Sequence, residues 1–171
     1  MRLEAAPLDS LFLFRPNFMS LSRPHPIWTS AGSSNYEVKK ATVQARMLSG
    51  RYRTCWLRRH WSGDPTGSCQ VPDCDGQPGT LLHIATAECS GLHSAKVKAV
   101  ALWGIFRDFS LGDLKHFLEF LVDPTTKPTV LSLAQAHPEE PIVSKLCYMT
   151  RTWLYTVHKQ RLKLLGLWSN N

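Results

Sequence analysis

Four residues of metal-ligand type, three cysteines and a histidine, fall in and just beyond a stretch that could not otherwise order itself: Cys69-x4-Cys74-x8-His83-x5-Cys89. From Gly63 to Gly79 the chain is dominated by Gly, Pro, Asp and Ser, the composition of a loop with no apolar core. Zn²⁺ takes four thiolate and imidazole donors in a tetrahedron, and its binding free energy becomes folding free energy for such a segment. Cys69 and Cys74 form one half of the set, and Pro72-Asp73 between them favours a tight turn. The other half is conditional. His83 and Cys89 are six positions apart, which on an unbroken helix means a rise of about 9 Å and opposed phases. Either the helix unwinds before Cys89, where Ser90-Gly91 follows, or His93 replaces His83, since Cys89 and His93 stand at i, i+4. A zinc of either set would have all four positions filled by protein.

The rest of the chain reads as mainly α. Residues 1–33 carry Pro7, Pro16, Pro24 and Pro26 and hold no period, so an irregular Pro/Ser-rich arm is expected, from which Leu11, Phe12, Phe14, Phe18 and Trp28 can dock on a core. Residues 34–168 are expected to form one helical domain containing the knuckle at 69–89. Ser34 and Glu37 stand at capping-box spacing, Val38, Ala41, Ala45 and Leu48 share a helical face, and Gly50 is a C-terminal stop. A short helix is expected over Tyr52–Trp61 and another over Leu81–Glu88. Two more follow, with stripes Leu92/Ala95/Ala99/Leu102/Trp103/Phe106 and Leu114/Phe117/Leu118/Leu121, the second capped by Ser110 and Asp113 and stopped by Pro124. Pro128–Ala136 forms the next, ended by Pro138. A long final helix starts at Pro141 and runs to about Leu165 with Leu146, Thr150, Trp153, Val157 and Leu164 on one stripe. Cys55 and Cys147, far from the others, are expected in the core.

The formal charge is +7, which favours an anionic partner. The excess is clustered. Lys39, Lys40, Arg46, Arg51, Arg53, Arg58 and Arg59 precede the knuckle with Glu37 as the one acid among them, and Tyr52, Trp56 and Trp61 are interleaved. Lys145, Arg151, His158, Lys159, Arg161 and Lys163 follow the last acid, Glu140. Cations that pair with phosphates beside aromatics that stack on bases describe an RNA or DNA surface. Solvated helix faces and core tryptophans are the competing interpretation, that of a structural or protein-interaction domain stapled by zinc.

Enzyme signatures are missing. The chain has no Walker A loop, GxGxxG, HExxH, GxSxG or zinc-deaminase pattern, and Asp108, Asp113, Glu119, Asp123, Glu139 and Glu140 make no metal-binding trio. No small-molecule substrate is implied. Apolar stretches are broken by charge or proline well short of the ~20 residues that span a bilayer. An odd cysteine count and the lack of a signal-peptide core point to a reducing, intracellular setting.

The run Val43-Gln44-Ala45-Arg46-Met47-Leu48-Ser49-Gly50-Arg51-Tyr52-Arg53-Thr54, the basic Trp-rich segment after it, Cys69, Pro72 and Cys74, Leu81-Leu82-His83, Cys89 and the run from Leu146 to Trp153 together resemble the region downstream of the polymerase in non-LTR, LINE-type retrotransposon reverse transcriptases. The resemblance covers about residues 36–168. It implies a Cys/Cys/His/Cys knuckle ligated by Cys69, Cys74, His83 and Cys89 and a role in gripping RNA or DNA. The chain departs from the commoner family spacing: five residues rather than four separate His83 from Cys89, and Leu82 stands where an acid often precedes the histidine. The resemblance also implies that polymerase and endonuclease activities reside elsewhere, and that the proline-rich start replaces a missing polymerase in a truncated or exon-joined relic.

Overall fold

The computed structural model describes residues 25–55, 66–74, 76–85, 89–92, 120–137 and 140–168. It is mainly helical, and among the described residues the one β-type pairing is an isolated antiparallel bridge, Ser68 with Pro78. We number the α-helices α1 (Pro26–Thr29), α2 (Asn35–Leu48), α3 (Leu81–Ala85), α4 (Pro128–Ala136) and α5 (Pro141–Leu164). Single 3₁₀ turns occupy Ser90–Leu92 and Pro124–Thr126.

Proline sets the later boundaries. Pro128 and Pro141 occupy the first turns of α4 and α5, where a missing N–H costs nothing and the fixed φ suits the helix. Residues 120–122 are helical and the chain leaves the helix at Asp123, ahead of Pro124. Helix α2 starts after Ser34 and ends as expected at Gly50, whose φ of 68° lets the Gly50 and Arg51 amides return to the Met47 and Arg46 carbonyls. Its N-terminus departs from the capping box. Ser34 makes no side-chain cap, and the Glu37 carboxylate is turned to Lys40 and Arg151.

Helix α5 is the spine, packing against α1, α2, α3, α4 and both 3₁₀ turns. The core between them holds Ile27, Ala41, Met47, Leu81, Ile84, Leu92, Leu154 and Val157. Gln44, fully buried, donates from Nε2 to the Val122 carbonyl at 2.7 Å. The stripe expected on α5 is buried at Thr150, Trp153 and Val157, half-buried at Leu146 and exposed at Leu164. The last residues of the segment expected to be irregular contain α1. Its Ile27, rather than the exposed Trp28, enters the core. His25 fixes that turn: Nδ1 accepts from the Ile27 amide, which leaves Nε2–H to face Asp123 Oδ2 at 3.0 Å. Asp123 Oδ1 in turn accepts the amide and hydroxyl of Thr125. The expected helix over Tyr52–Trp61 is not helical at Tyr52 and Thr54, and its residues from 56 on lie outside the described residues. So do Leu11, Phe12, Phe14, Phe18, Ser110, Asp113, Pro138, most of the two stripes between 92 and 121, and the last three residues of the helix expected to reach Glu88.

Candidate metal centre

The knuckle is built from two local devices. The first is a turn: the Cys74 amide returns to the Val71 carbonyl, with Pro72 at its second position and Asp73 at its third, φ 68°. A positive φ at the third position with proline at the second is the type II arrangement. The arms around it are held by Cys69 N–H to Gln77 O at 2.8 Å and Gly79 N–H to Gly67 O at 2.9 Å. The second device is a broken helix. Thr80 Oγ1 accepts the His83 amide at the start of α3, which is described as far as Ala85, and the Cys89 amide reaches back six residues to the His83 carbonyl at 3.3 Å, where a continuous α-helix would reach back four. Cys89 then opens into the 3₁₀ turn Ser90–Leu92, so the helix does unwind between the two donors.

The result brings the donor atoms of Cys69, Cys74, His83 and Cys89 within 4.8 Å of one another. The Cys74 and Cys89 Sγ atoms are 3.3 Å apart, and those of Cys69 and Cys89 3.9 Å. Two thiolates about 2.3 Å from a tetrahedral zinc stand about 3.8 Å apart, so the set fits such an ion with little adjustment. Cys74, His83 and Cys89 are buried and Cys69 is half-buried. None of the five cysteines is in a disulfide. Around the thiols, Ser90 Oγ lies 3.2 Å from Cys74 Sγ and donates to the Pro72 carbonyl, tying the two devices together. His93 lies outside the described residues.

Burial and the neighbouring thiols push Cys89 up to about 12, and burial also raises Cys69. Burial acts upward on Cys74 too, but hydrogen bonds from Ser90 and Cys89 outweigh it and leave the thiol below its ordinary value. A dication placed among such thiols reverses this balance, because a coordinating thiol is deprotonated outright. Cys147, away from the cluster, is buried beside Asp123, which together push its thiol up to about 12. Cys55 is buried against the knuckle.

The basic residues divide by direction. Arg51, Arg53 and Lys39 are exposed, as are Arg46, Lys145 and Lys163, while Lys159 is half-buried. Arg58 and Arg59 lie outside the described residues, as do Trp56 and Trp61. Lys40 is turned inward and buried, its ammonium 2.6 Å from Glu37 Oε1 and 3.3 Å from Thr152 Oγ1. Arg151 is 1% exposed. Its Nε and Nη2 both reach Glu37 Oε2 at 2.9 Å, and Nη1 donates to Ser30 Oγ at 2.7 Å. Arg161 is buried over the Tyr52 ring, with Nη2 3.7 Å from Cys55 Sγ. His158 is held neutral: burial, then Arg161 and Arg46, lower it to about 4. Its Nδ1 is 2.9 Å from the Tyr52 hydroxyl. That hydroxyl keeps its proton, because burial raises it above its ordinary value. Arg151 was legible only as charge, because its partner Glu37 lies 114 residues away.

No protein-family model, curated protein or solved structure matches the chain.

Proposed function

We propose that the chain is a zinc-stabilised nucleic-acid-binding module of the kind implied by its resemblance to the region downstream of LINE-type reverse transcriptases. The four-donor cluster carries the metal part of this reading, since three cysteines and a histidine from a turn and a broken helix converge at the spacing of a tetrahedral ion. Cys69, Cys74, His83 and Cys89 would hold the zinc. When bound, it supplies closure of the loop and no open position for a reacting water. The protein's own part is to fix the donors: the Pro72-Asp73 turn sets the first pair, and the bond from the Cys89 amide to the His83 carbonyl draws the second pair together. The nucleic-acid part is supported by the outward cations. Arg51 and Arg53 leave the end of α2 on the approach to the knuckle, and with Arg58, Arg59 and Lys39 would pair with phosphates of RNA or DNA. Lys40, engaged by Glu37, is withdrawn from that set.

Metal analysis of the purified protein tests the first half. The wild type is expected to hold about one zinc, and Cys74→Ser and His83→Ala to lose it and unfold, while His93→Ala keeps it. Equal zinc in wild type and Cys74→Ser refutes the site. A filter-binding titration against salt tests the second half: affinity should fall steeply as salt rises, and binding that is absent at low salt, or insensitive to salt, refutes it. A second reading, a helical structural or interaction domain with zinc as a staple, draws on the inward direction of Lys40, Arg151 and Arg161, which serve the fold rather than a ligand.

A further inference from the structure

Helices α2 and α5 together contain one carboxylate, Glu37, and that carboxylate is occupied by Lys40 and Arg151. On the joint face of the two helices stand three tyrosines. Tyr36 and Tyr148 are 50% and 49% exposed, whereas Tyr155 is buried, its ring against that of Tyr36. The Lys40 ammonium lies between the two exposed rings, 4.5 Å from the Tyr36 centroid and 5.2 Å from that of Tyr148. Both rings are thereby held in place, roughly 10 Å apart at most, a few nucleotide steps along a strand. Tyr155 meets Tyr36 edge to face at 5.7 Å and carries Lys159 over its own ring at 5.2 Å. Each tyrosine also has a lysine one helical turn away: Lys39 after Tyr36, Lys145 before Tyr148, Lys159 after Tyr155.

The flanking lysines are exposed at 39 and 145 and half-buried at 159, Arg151 lies 5.7 Å from the Tyr148 centroid, and there is no free acid on either helix, so the face complements a ligand that is flat, π-rich and anionic. Duplexes hide their base faces; a single strand presents them beside its phosphates. We propose that the Tyr36–Tyr148 face is a stacking platform for bases of single-stranded nucleic acid, with Lys39, Lys145 and Lys159 taking the phosphates. This rests on the nucleic-acid reading above and gives it a strand type and a further location, on the side of α2 and α5, in addition to Arg51 and Arg53. Lys40 acts through the rings as a positioning residue.

The test uses the full chain with zinc and four labelled probes of equal length: a deoxythymidine oligomer, a uridine oligomer, an abasic deoxyribose oligomer and a DNA duplex. The wild type is expected to prefer the base-bearing single strands, and the two arms tell DNA from RNA. Each of Tyr36→Ala and Tyr148→Ala should weaken that binding roughly tenfold, leave the abasic oligomer and the salt slope unchanged, and be rescued by Tyr→Trp at the same position. Helical circular dichroism and zinc content of each variant, equal to wild type, separate stacking from unfolding. If the alanine variants bind thymidine and uridine oligomers as the wild type does, or if the wild type binds the abasic oligomer equally well, the platform is refuted while the nucleic-acid reading stands. Absence of binding to all four probes refutes both.

Discussion

Replacing Glu37 by glutamine should destabilise the fold far more than an ordinary surface charge change. The carboxylate joins two cations that are themselves buried: Oε1 takes Lys40 and Oε2 takes two nitrogens of Arg151, with Glu37 itself only 19% exposed. Glutamine keeps one acceptor and presents an NH₂ where the other stood, so one cation meets donors and loses its partner. Removing one member of a buried pair costs about 3–5 kcal/mol. The retained acceptor and partial exposure reduce this to about 2–3 kcal/mol, a large part of the ~5–15 kcal/mol that holds a domain together. Urea unfolding of the zinc-loaded protein at pH 7, followed by helical circular dichroism, should show this loss as a lower midpoint at unchanged slope. Replacing both Lys40 and Arg151 by methionine together with Glu37 by leucine should recover part of it, since packed apolar groups then replace the whole buried set and leave no cation unpaired. Burial pushes the Glu37 carboxyl up, but Lys40 and Arg151 outweigh that and hold it below 4.5. Its contribution is therefore complete above about pH 4.5 and lost as pH falls through the lower folded value, and Glu37→Gln lacks that acid-side loss. A cost under about 0.5 kcal/mol at pH 7 would mean that the group behaves as a solvated surface pair and that the reasoning fails.

Other outcomes are specific. In Gly79→Ala a new Cβ would lie 2.6 Å from Cys55 Cβ and 3.3 Å from the Cys69 backbone, so zinc retention under chelator challenge should fall, with about 1–3 kcal/mol of stability lost; unchanged retention would contradict the close packing. The His158 imidazole should titrate by NMR near pH 4 rather than 6.5. Because the folded value is depressed, His158 contributes stability above about pH 6.5 that drains away as pH falls toward 4, and a midpoint above 6 would refute its burial against Arg161. Cys147→Ala should keep one equivalent of zinc, since Cys147 lies outside the cluster; loss of zinc there would redraw the donor set.

What the sequence makes legible is what local chemistry decides. Pro128 and Pro141 mark the starts of α4 and α5 because proline's missing donor is tolerated only there, and Gly50 ends α2 because the reversal needs a positive φ. Phase alone says that ligands six apart cannot share an unbroken helical face, which leaves either a break before Cys89 or His93 in place of His83. Partnerships across the chain are not legible in this way. Ser34 and Glu37 have capping-box spacing, yet a guanidinium 114 residues away competes for the carboxylate. His25 bonds Asp123 across 98 residues, and nothing near His25 announces it. For the same reason Lys40, Arg151 and Arg161 read as surface charge until their partners are placed, and the tyrosine face emerges only when α2 meets α5.

The end of α5 rests on the knuckle. Gln160 Nε2 donates to the Gly91 carbonyl at 3.0 Å, and a Cβ at Gly91 would fall 2.6 Å from Val71 and 2.7 Å from Leu164. The 3₁₀ turn that carries the chain away from Cys89 is thus clamped between the loop of the first cysteine pair and the final turn of the spine. Whatever orders Cys89 also orders the end of α5, and by reciprocity whatever frays the end of α5 weakens the grip on an ion by the same free energy. A tag or fusion joined near Leu164 would then act as a remote control on metal affinity, felt at a centre it never touches.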